Sequence, residues 1–393
     1  MNAFLLKYYK KDSIIAALFI CLYSFCLLLI ATYAYRRPLY NWDMLGYIAL
    51  VIQKTHKDVN EIHQKTYSSV KDVVPETNYT LQIAGNERRK RWATYPNEFY
   101  SILPFYAIKP AYVELVNLAY KMGFSLPIST VLPSILAYIL IGFLVFYWLA
   151  KYLKILFAFL VSLFIMYSEP MISLARLSTP DSLSALLLLF SFYFIIEKSS
   201  LKWIFLFMTL SIFTRLDNII PCVCILSFLF LSKNWQKKMQ LKSYIIMLSA
   251  FIVFYFGITT ATLKPFGWNV FYYPTFIRHL NLSGVEYSHF SLAGYLELLY
   301  SRLITSLLHF NVPLFLLFLL FLLLPSDSRF GKFTFDQQLS LLLGVLILLK
   351  FILFPDLSDR FNISYYLVFI ILFTKRYKNL LSIELNQPNH LKT

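Results

Sequence analysis

Four short polar stations interrupt an otherwise apolar chain, and they hold the residues able to do chemistry. They are Asn41-Trp42-Asp43, Arg176-Leu177-Ser178-Thr179-Pro180-Asp181, Thr214-Arg215-Leu216-Asp217-Asn218 and Pro355-Asp356-Leu357-Ser358-Asp359-Arg360-Phe361. A carboxylate serves as a general base or a charge partner, and a guanidinium grips phosphate oxygens two at a time. Charged groups beside long apolar runs are costly, so a functional reading is the default. Asp43 lies among Tyr40, Trp42 and Tyr47, where partial desolvation tunes a carboxylate as a base; the competing reading is that Asn41 or Asp43 caps a helix starting at Met44. Thr179-Pro180-Asp181 suits a helix start, with proline early and acid in the first turn, so Asp181 reads as a cap or a substrate contact. Arg215 and Asp217 stand two apart, a spacing that does not face on a helix. A partner for Asp217 is therefore expected from another segment, with Arg176 the candidate, either as a structural ion pair or around a substrate. Arg360 reads as a phosphate grip or as the neutraliser of Asp356 or Asp359.

Other chemistries find no residues. There is no His-Glu-x-x-His, Cys-x-x-Cys or EF-hand pattern, no glycine-rich phosphate loop, and the six histidines are scattered, so neither a metal cofactor nor ATP is expected. Cys21, Cys26, Cys222 and Cys224 lie inside apolar runs and read as packing residues.

The elements that must position the stations follow from composition. Of 393 residues, 59% are hydrophobic and 14% charged, against about 25% charged in ordinary soluble domains. Mean hydropathy is +0.62. The expected class is an all-α polytopic membrane protein, a single membrane domain over 1–393. Charge-poor runs occur at 13–35, 122–150, 155–168, 182–196, 203–214, 218–232, 243–263, 303–324, 337–354 and 361–374, predicting about ten transmembrane helices. The first, second, seventh and eighth are long enough to cross alone. The short ones are tolerable only where they line a polar cavity. The first run is too long for a signal h-region and reads as a span that stays.

Sidedness comes from Lys and Arg in the short loops. One side carries Lys7, Lys10, Lys11, Lys151, Lys154, Lys198, Lys202, Lys233, Lys237, Lys238, Lys242, Arg329, Lys332, Lys375, Arg376, Lys378 and Lys392; the other carries only Arg176, Arg215, Lys264, Arg278, Arg302 and Arg360. The positive-inside rule places both termini in the cytoplasm and all four stations outside. The net charge of +16 is thus a topological signal, and nucleic acid is not an expected partner. Two external segments are long: a first loop over 34–121 and a second over 264–302. Within the first, the stretch from Trp92 to Tyr112 is aromatic with Pro104 and Pro110, and predicts interfacial helices against membrane lipids; Arg88-Arg89-Lys90-Arg91 reads as a solvated or headgroup-facing patch. The inverted repeat of many transporters is missing.

The order of these features resembles the glycosyltransferase-C superfamily of integral membrane enzymes, over about residues 1–375. Asn41-Trp42-Asp43-Met44-Leu45-Gly46-Tyr47 resembles the acidic motif directly after the first span, and Pro104-Phe105-Tyr106-Ala107-Ile108-Lys109-Pro110-Ala111-Tyr112 the interfacial segment of bacterial members. Thr179-Pro180-Asp181, Arg215-Leu216-Asp217 and Asp359-Arg360-Phe361 resemble patterns at the outer ends of later spans. The resemblance implies a sugar donor linked to polyprenyl phosphate and a glycan, lipid or protein acceptor. Transfer would be inverting, on the external face, with Asp43 as base. Arg360, with Arg215 or Arg176, would stabilise the leaving phosphate, and Asp181 and Asp217 would complete the substrate site. No cofactor is implied, since a lipid phosphate leaves without a nucleotide. Rival readings are a transporter or lipid flippase, and a non-catalytic assembly subunit of a cell-envelope polymer. Asn-x-Ser/Thr triplets at Asn78, Asn281 and Asn362 fit a eukaryotic lumen or chance. The location adopted is a bacterial inner membrane with the site facing the periplasm or exterior.

Overall fold

The computed structural model describes residues 2–235, 237–262, 291–307 and 334–383, all helix and connecting turn with no strand. Helix α1 (Asn2–Arg36) carries the first apolar run. Seven shorter helices follow in the first loop: α2 (Met44–Gln53), α3 (Val59–Lys71), α4 (Glu76–Ala84), α5 (Glu87–Thr94), α6 (Pro96–Ser101), α7 (Pro104–Ala107) and α8 (Pro110–Lys121). Their starts are written locally. Pro96, Pro104 and Pro110 open α6, α7 and α8, where a missing N–H costs nothing. Asp58 and Asn86 cap α3 and α5 by accepting from the Glu61 and Arg89 amides at 2.8 and 2.9 Å.

The bundle follows: α9 (Leu126–Ala150), α10 (Ile155–Met166), α11 (Glu169–Arg176), α12 (Asp181–Ile196), α13 (Leu201–Thr214), α14 (Ile219–Leu231), α15 (Leu241–Thr262), α16 (Leu292–Leu307), α17 (Phe335–Leu353) and α18 (Asp359–Ile383). Four segments are long and apolar enough to cross a bilayer: Ile14–Arg36, Leu126–Ala150, Leu241–Thr262 and Phe335–Leu353. Helices α10 and α11 meet at a 62° bend and make a fifth if counted as one broken span. Length and composition thus support four or five spans among the described residues, where about ten were expected. The first, second and seventh runs are long enough to cross alone, as anticipated, and the ninth joins them. The eighth run, 303–324, lies outside the described residues beyond 307, as do 264–290 of the second loop. Helix α12 has 16 residues, about 24 Å at 1.5 Å per residue, and falls short of a roughly 30 Å hydrocarbon layer.

The first loop packs its own core. Trp42, Met44, Tyr47, Ile62, Trp92, Phe99 and Tyr112 are buried together there, with Trp42 on Trp92 at 4.6 Å between ring centroids. A second, larger core fills the bundle. The two are joined where α8 packs against α9 and α13, and Gly123, at φ +98°, makes the tight turn from α8 into α9. The chain leaving α1 is also pinned to the segment between α11 and α12. Leu39 and Leu177 form a lone parallel bridge, the Leu39 amide donating to the Arg176 carbonyl at 2.8 Å, and the Asn41 amide donates to Ser178 Oγ at 2.9 Å. Ser134 on α9 donates to the Thr179 carbonyl at 3.1 Å. These contacts bring the first two polar stations side by side.

Candidate functional site

Asp43 ends a tight turn held by Asn41, whose carbonyl accepts from the Met44 amide at 3.1 Å and whose Oδ1 accepts from the Asp43 amide at 3.2 Å. The Asp43 carboxylate caps nothing, although it stands at the start of α2. It accepts instead from the Tyr106 hydroxyl at 3.3 Å. Gly46 permits this approach: a Cβ there would collide with the Tyr106 ring. Tyr106 meets Tyr47 edge-on at 5.2 Å. Lys109 donates to the Tyr47 hydroxyl at 2.8 Å and lies 5.2 and 5.4 Å from the Tyr47 and Tyr106 ring centroids. Burial pushes both phenols well above their ordinary value, so they stay protonated, while burial lowers the Lys109 ammonium against the opposing pull of Asp43.

The other three stations converge on an ion cluster. Helix α13 ends at Thr214, Arg215 is extended (φ −146°, ψ 115°), and a 3₁₀ turn over Leu216–Asn218 follows. Because Arg215 is not helical, it reaches its neighbour but one: Nε and Nη2 donate to Asp217 Oδ1 and Oδ2, each at 3.0 Å. The expectation that Asp217 takes its partner from Arg176 fails for this reason. The third guanidinium nitrogen, Nη1, pairs with Asp181 Oδ1. Asp181 Oδ2 accepts from the Thr179 hydroxyl at 2.7 Å and faces Arg360 Nη1 at 3.7 Å. Asp181 therefore caps no helix end. Arg360 reaches Asp181, while Asp356 is engaged locally by the amide of Ser358 at 2.9 Å. Lys350 on α17 adds a further cation, 3.8 Å from Asp217 and donating to the Phe361 carbonyl at 3.3 Å. Arg215, Lys350 and Arg360 share one ring, at 4.6, 5.4 and 4.5 Å from the centroid of Phe361. Asn218, fully buried, ties the turn to α12 through Ser184 Oγ at 2.7 Å.

Lys109 links the two halves, since the charges of Asp43, Asp181, Asp217 and Arg215 all act on it. Lys109, Arg215, Lys350 and Arg360 thus stand among Asp43, Asp181 and Asp217, and the charge of Asp356 also acts on Lys350. Among the described residues Asp43 alone of the three forms no ion pair. Asp181 and Arg215 are nearly closed off at 4% and 13% side-chain exposure, whereas Asp217 and Arg360 keep 40% and 30%. The open side of the cluster is therefore Arg360 and Asp217.

Of the residues expected from sequence, Asp181, Arg215, Asp217 and Arg360 come together, and Asp43 stands across Lys109 from them. Arg176 does not join. It donates to the Arg37 carbonyl at 2.6 Å and stacks over Tyr33 at 5.0 Å, fastening the chain after α1. Lys109, Lys350 and Tyr106 were missed as site residues. Lys350 had a signal, a lone cation inside an apolar run. Lys109 had only its place between two prolines' turns. No protein-family model, no characterised protein and no solved structure matches the chain.

Proposed function

We propose that the chain is a membrane glycosyltransferase that moves a sugar from a polyprenyl-phosphate donor to an acceptor hydroxyl, with inversion. The observation that carries this reading is the contrast between Asp43, a carboxylate with a phenol partner and no cation, and the cation-rich cluster facing it. Arg360, on the open side of the cluster at 30% exposure, is placed to take an anionic guest. A bare carboxylate opposite such a guest suits proton abstraction.

In the proposed step Asp43 takes the acceptor's hydroxyl proton as the oxygen attacks the anomeric carbon. The bond from that carbon to the phosphate oxygen breaks, and the lipid phosphate leaves with the electron pair. Arg360 and Lys350 receive its charge. Arg215 is assigned a different part from the one expected: with all three nitrogens committed to Asp181 and Asp217, it is the frame that holds Arg360 in place. The membrane lipids carry the donor to the site, and the acceptor is a glycan, lipid or protein. The proposal includes the ten-span arrangement in a bacterial inner membrane with the site facing outward. The short helices α12 and α13 and the turn after α13 support it, because they end at the ion cluster of Asp181, Arg215 and Asp217.

The test is release of polyprenyl phosphate in proteoliposomes given a radiolabelled polyprenyl-phosphate hexose and a cell-envelope glycan fraction. Asp43→Asn is expected to cut release 100-fold or more, the usual scale for a lost general base, with folding unchanged. Equal release by Asp43→Asn would move the base elsewhere. No release by the wild type with any donor would favour the flippase or assembly-subunit reading.

A further inference from the structure

Phe361 stands where three cations meet. Its ring centroid lies 4.5 Å from the guanidinium carbon of Arg360, 4.6 Å from that of Arg215 and 5.4 Å from Lys350 Nζ. Like charges gathered this closely repel, and the carboxylates they pair with, Asp181 and Asp217, are unequally shared. Arg215 takes Asp217 through two nitrogens and Asp181 through the third. Lys350 stands 3.8 Å from Asp217 and Arg360 3.7 Å from Asp181, both too long for a hydrogen bond. The two outer cations are thus loosely held by acids, and Phe361 is the residue they have in common.

The place of the ring is fixed from several directions. The Phe361 amide donates to the Ser358 carbonyl at 3.0 Å, and the Phe361 carbonyl accepts from Lys350 at 3.3 Å. Phe354, at the end of α17, meets the ring at 6.0 Å and 83°. Phe361 itself lies in the first turn of α18. The ring is therefore braced by the two helices that carry Lys350 and Arg360.

A ring does here what a third carboxylate could not. A carboxylate would hold the cations more tightly, but it would cancel the charge an anionic guest needs. The face of an aromatic ring attracts cations through its quadrupole and bears no net charge. It gathers them at short range and leaves their charge available. An aliphatic side chain of similar bulk would fill the space without that attraction.

We infer that Phe361 is a positioning residue, whose ring face sets Arg360 and Lys350 to receive a phosphate-bearing guest. That the guest is the leaving lipid phosphate rests on the transferase reading above; the gathering of the cations by the ring does not.

The experiment titrates farnesyl phosphate, a short polyprenyl phosphate, into full-length protein in lipid nanodiscs. Phe361 is replaced in turn by mono-, di- and trifluorophenylalanine, which drain the ring face stepwise and leave its shape nearly unchanged. A partly exposed cation–π contact is worth about two- to fivefold in an equilibrium, so two cations together give roughly tenfold. Affinity is expected to fall at every step, reaching about tenfold for the trifluoro ring, with the thermal unfolding midpoint unchanged. Phe361→Leu is expected to lose at least as much. Equal affinity across the fluorinated series would show that the ring only packs, and would overturn the inference, as would a wild type that binds no farnesyl phosphate. Graded binding without polyprenyl-phosphate release in the liposome assay would leave the role of the ring standing and remove the transferase reading. Release at the wild-type rate throughout a series of flat affinity would remove the role of the ring alone.

Discussion

Replacing Arg215 and Arg360 by alanine separates frame from grip. Arg215 is 13% exposed and gives three nitrogens to Asp217 and Asp181. Its loss leaves Asp181, only 4% exposed, with the Thr179 hydroxyl and a distant Arg360. Breaking a buried pair by removing one partner costs about 3–5 kcal/mol, because the remaining charge stays buried. Arg215→Ala is therefore expected to lose about that much in SDS-induced unfolding from lipid–detergent micelles. Adding Asp181→Asn removes the stranded charge and should recover most of it, since Asp217 at 40% exposure can be hydrated. Arg360, at 30% exposure and 3.7 Å from its partner, belongs with loosely held pairs worth about 0–1 kcal/mol. Arg360→Ala should leave unfolding nearly unchanged while polyprenyl-phosphate release falls sharply, and Arg360→Lys should sit between, lacking the planar fork. The division is refuted if Arg360→Ala destabilises as much as Arg215→Ala, or if Arg360→Ala releases product at the wild-type rate.

Gly46→Ala should push the Tyr106 ring off Asp43 and cost about 1–3 kcal/mol by overpacking; unfolding and release measured together check it, and Tyr106→Phe should lower release with little loss of stability. Burial lowers the Lys109 ammonium below the ordinary lysine value of 10.5, so the unfolded chain holds the extra proton in the alkaline range just beneath that value. Stability linked to Lys109 must then rise with pH there, and Lys109→Met should flatten the rise in unfolding measured from pH 8 to 10.5. Cysteines placed at the exposed Ser68 and Asn234 test sidedness: a membrane-impermeant maleimide on intact cells should label position 68 and spare position 234.

Helix positions followed closely from hydropathy, because an apolar run bounded by charge has few alternatives. The runs 122–150 and 243–263 became Leu126–Ala150 and Leu241–Thr262 with ends shifted by a few residues. The polar stations were legible for the same reason: Asp181, Arg215 and Asp217 stand out against leucine and phenylalanine. What stayed hidden depends on contacts distant in sequence or on one backbone angle. The Arg215–Asp217 pair needed the extended φ of −146° that no spacing rule announces. Arg176 looked like a site residue until Arg37 and Tyr33, far back in the chain, took it. The core of the first loop depends on Trp42 finding Trp92, fifty residues on, a contact that no local pattern between Trp92 and Tyr112 announces.

The bridge between Leu39 and Leu177 sets a clock on the ribosome. Asp43 emerges with the first helix, but the Ser178 hydroxyl that holds Asn41 lies 137 residues later. At about 5–20 residues per second that is an interval of roughly 7–27 s during which the turn has no anchor. Arg215 arrives after it, and Lys350 and Arg360 later still. Asp43 is thus made first and Arg215, Lys350 and Arg360 last, so a nascent chain lacks the ion cluster that the finished one sets across Lys109 from Asp43. Until those later segments arrive, the turn that carries Asp43 has neither its Ser178 anchor nor the ion cluster.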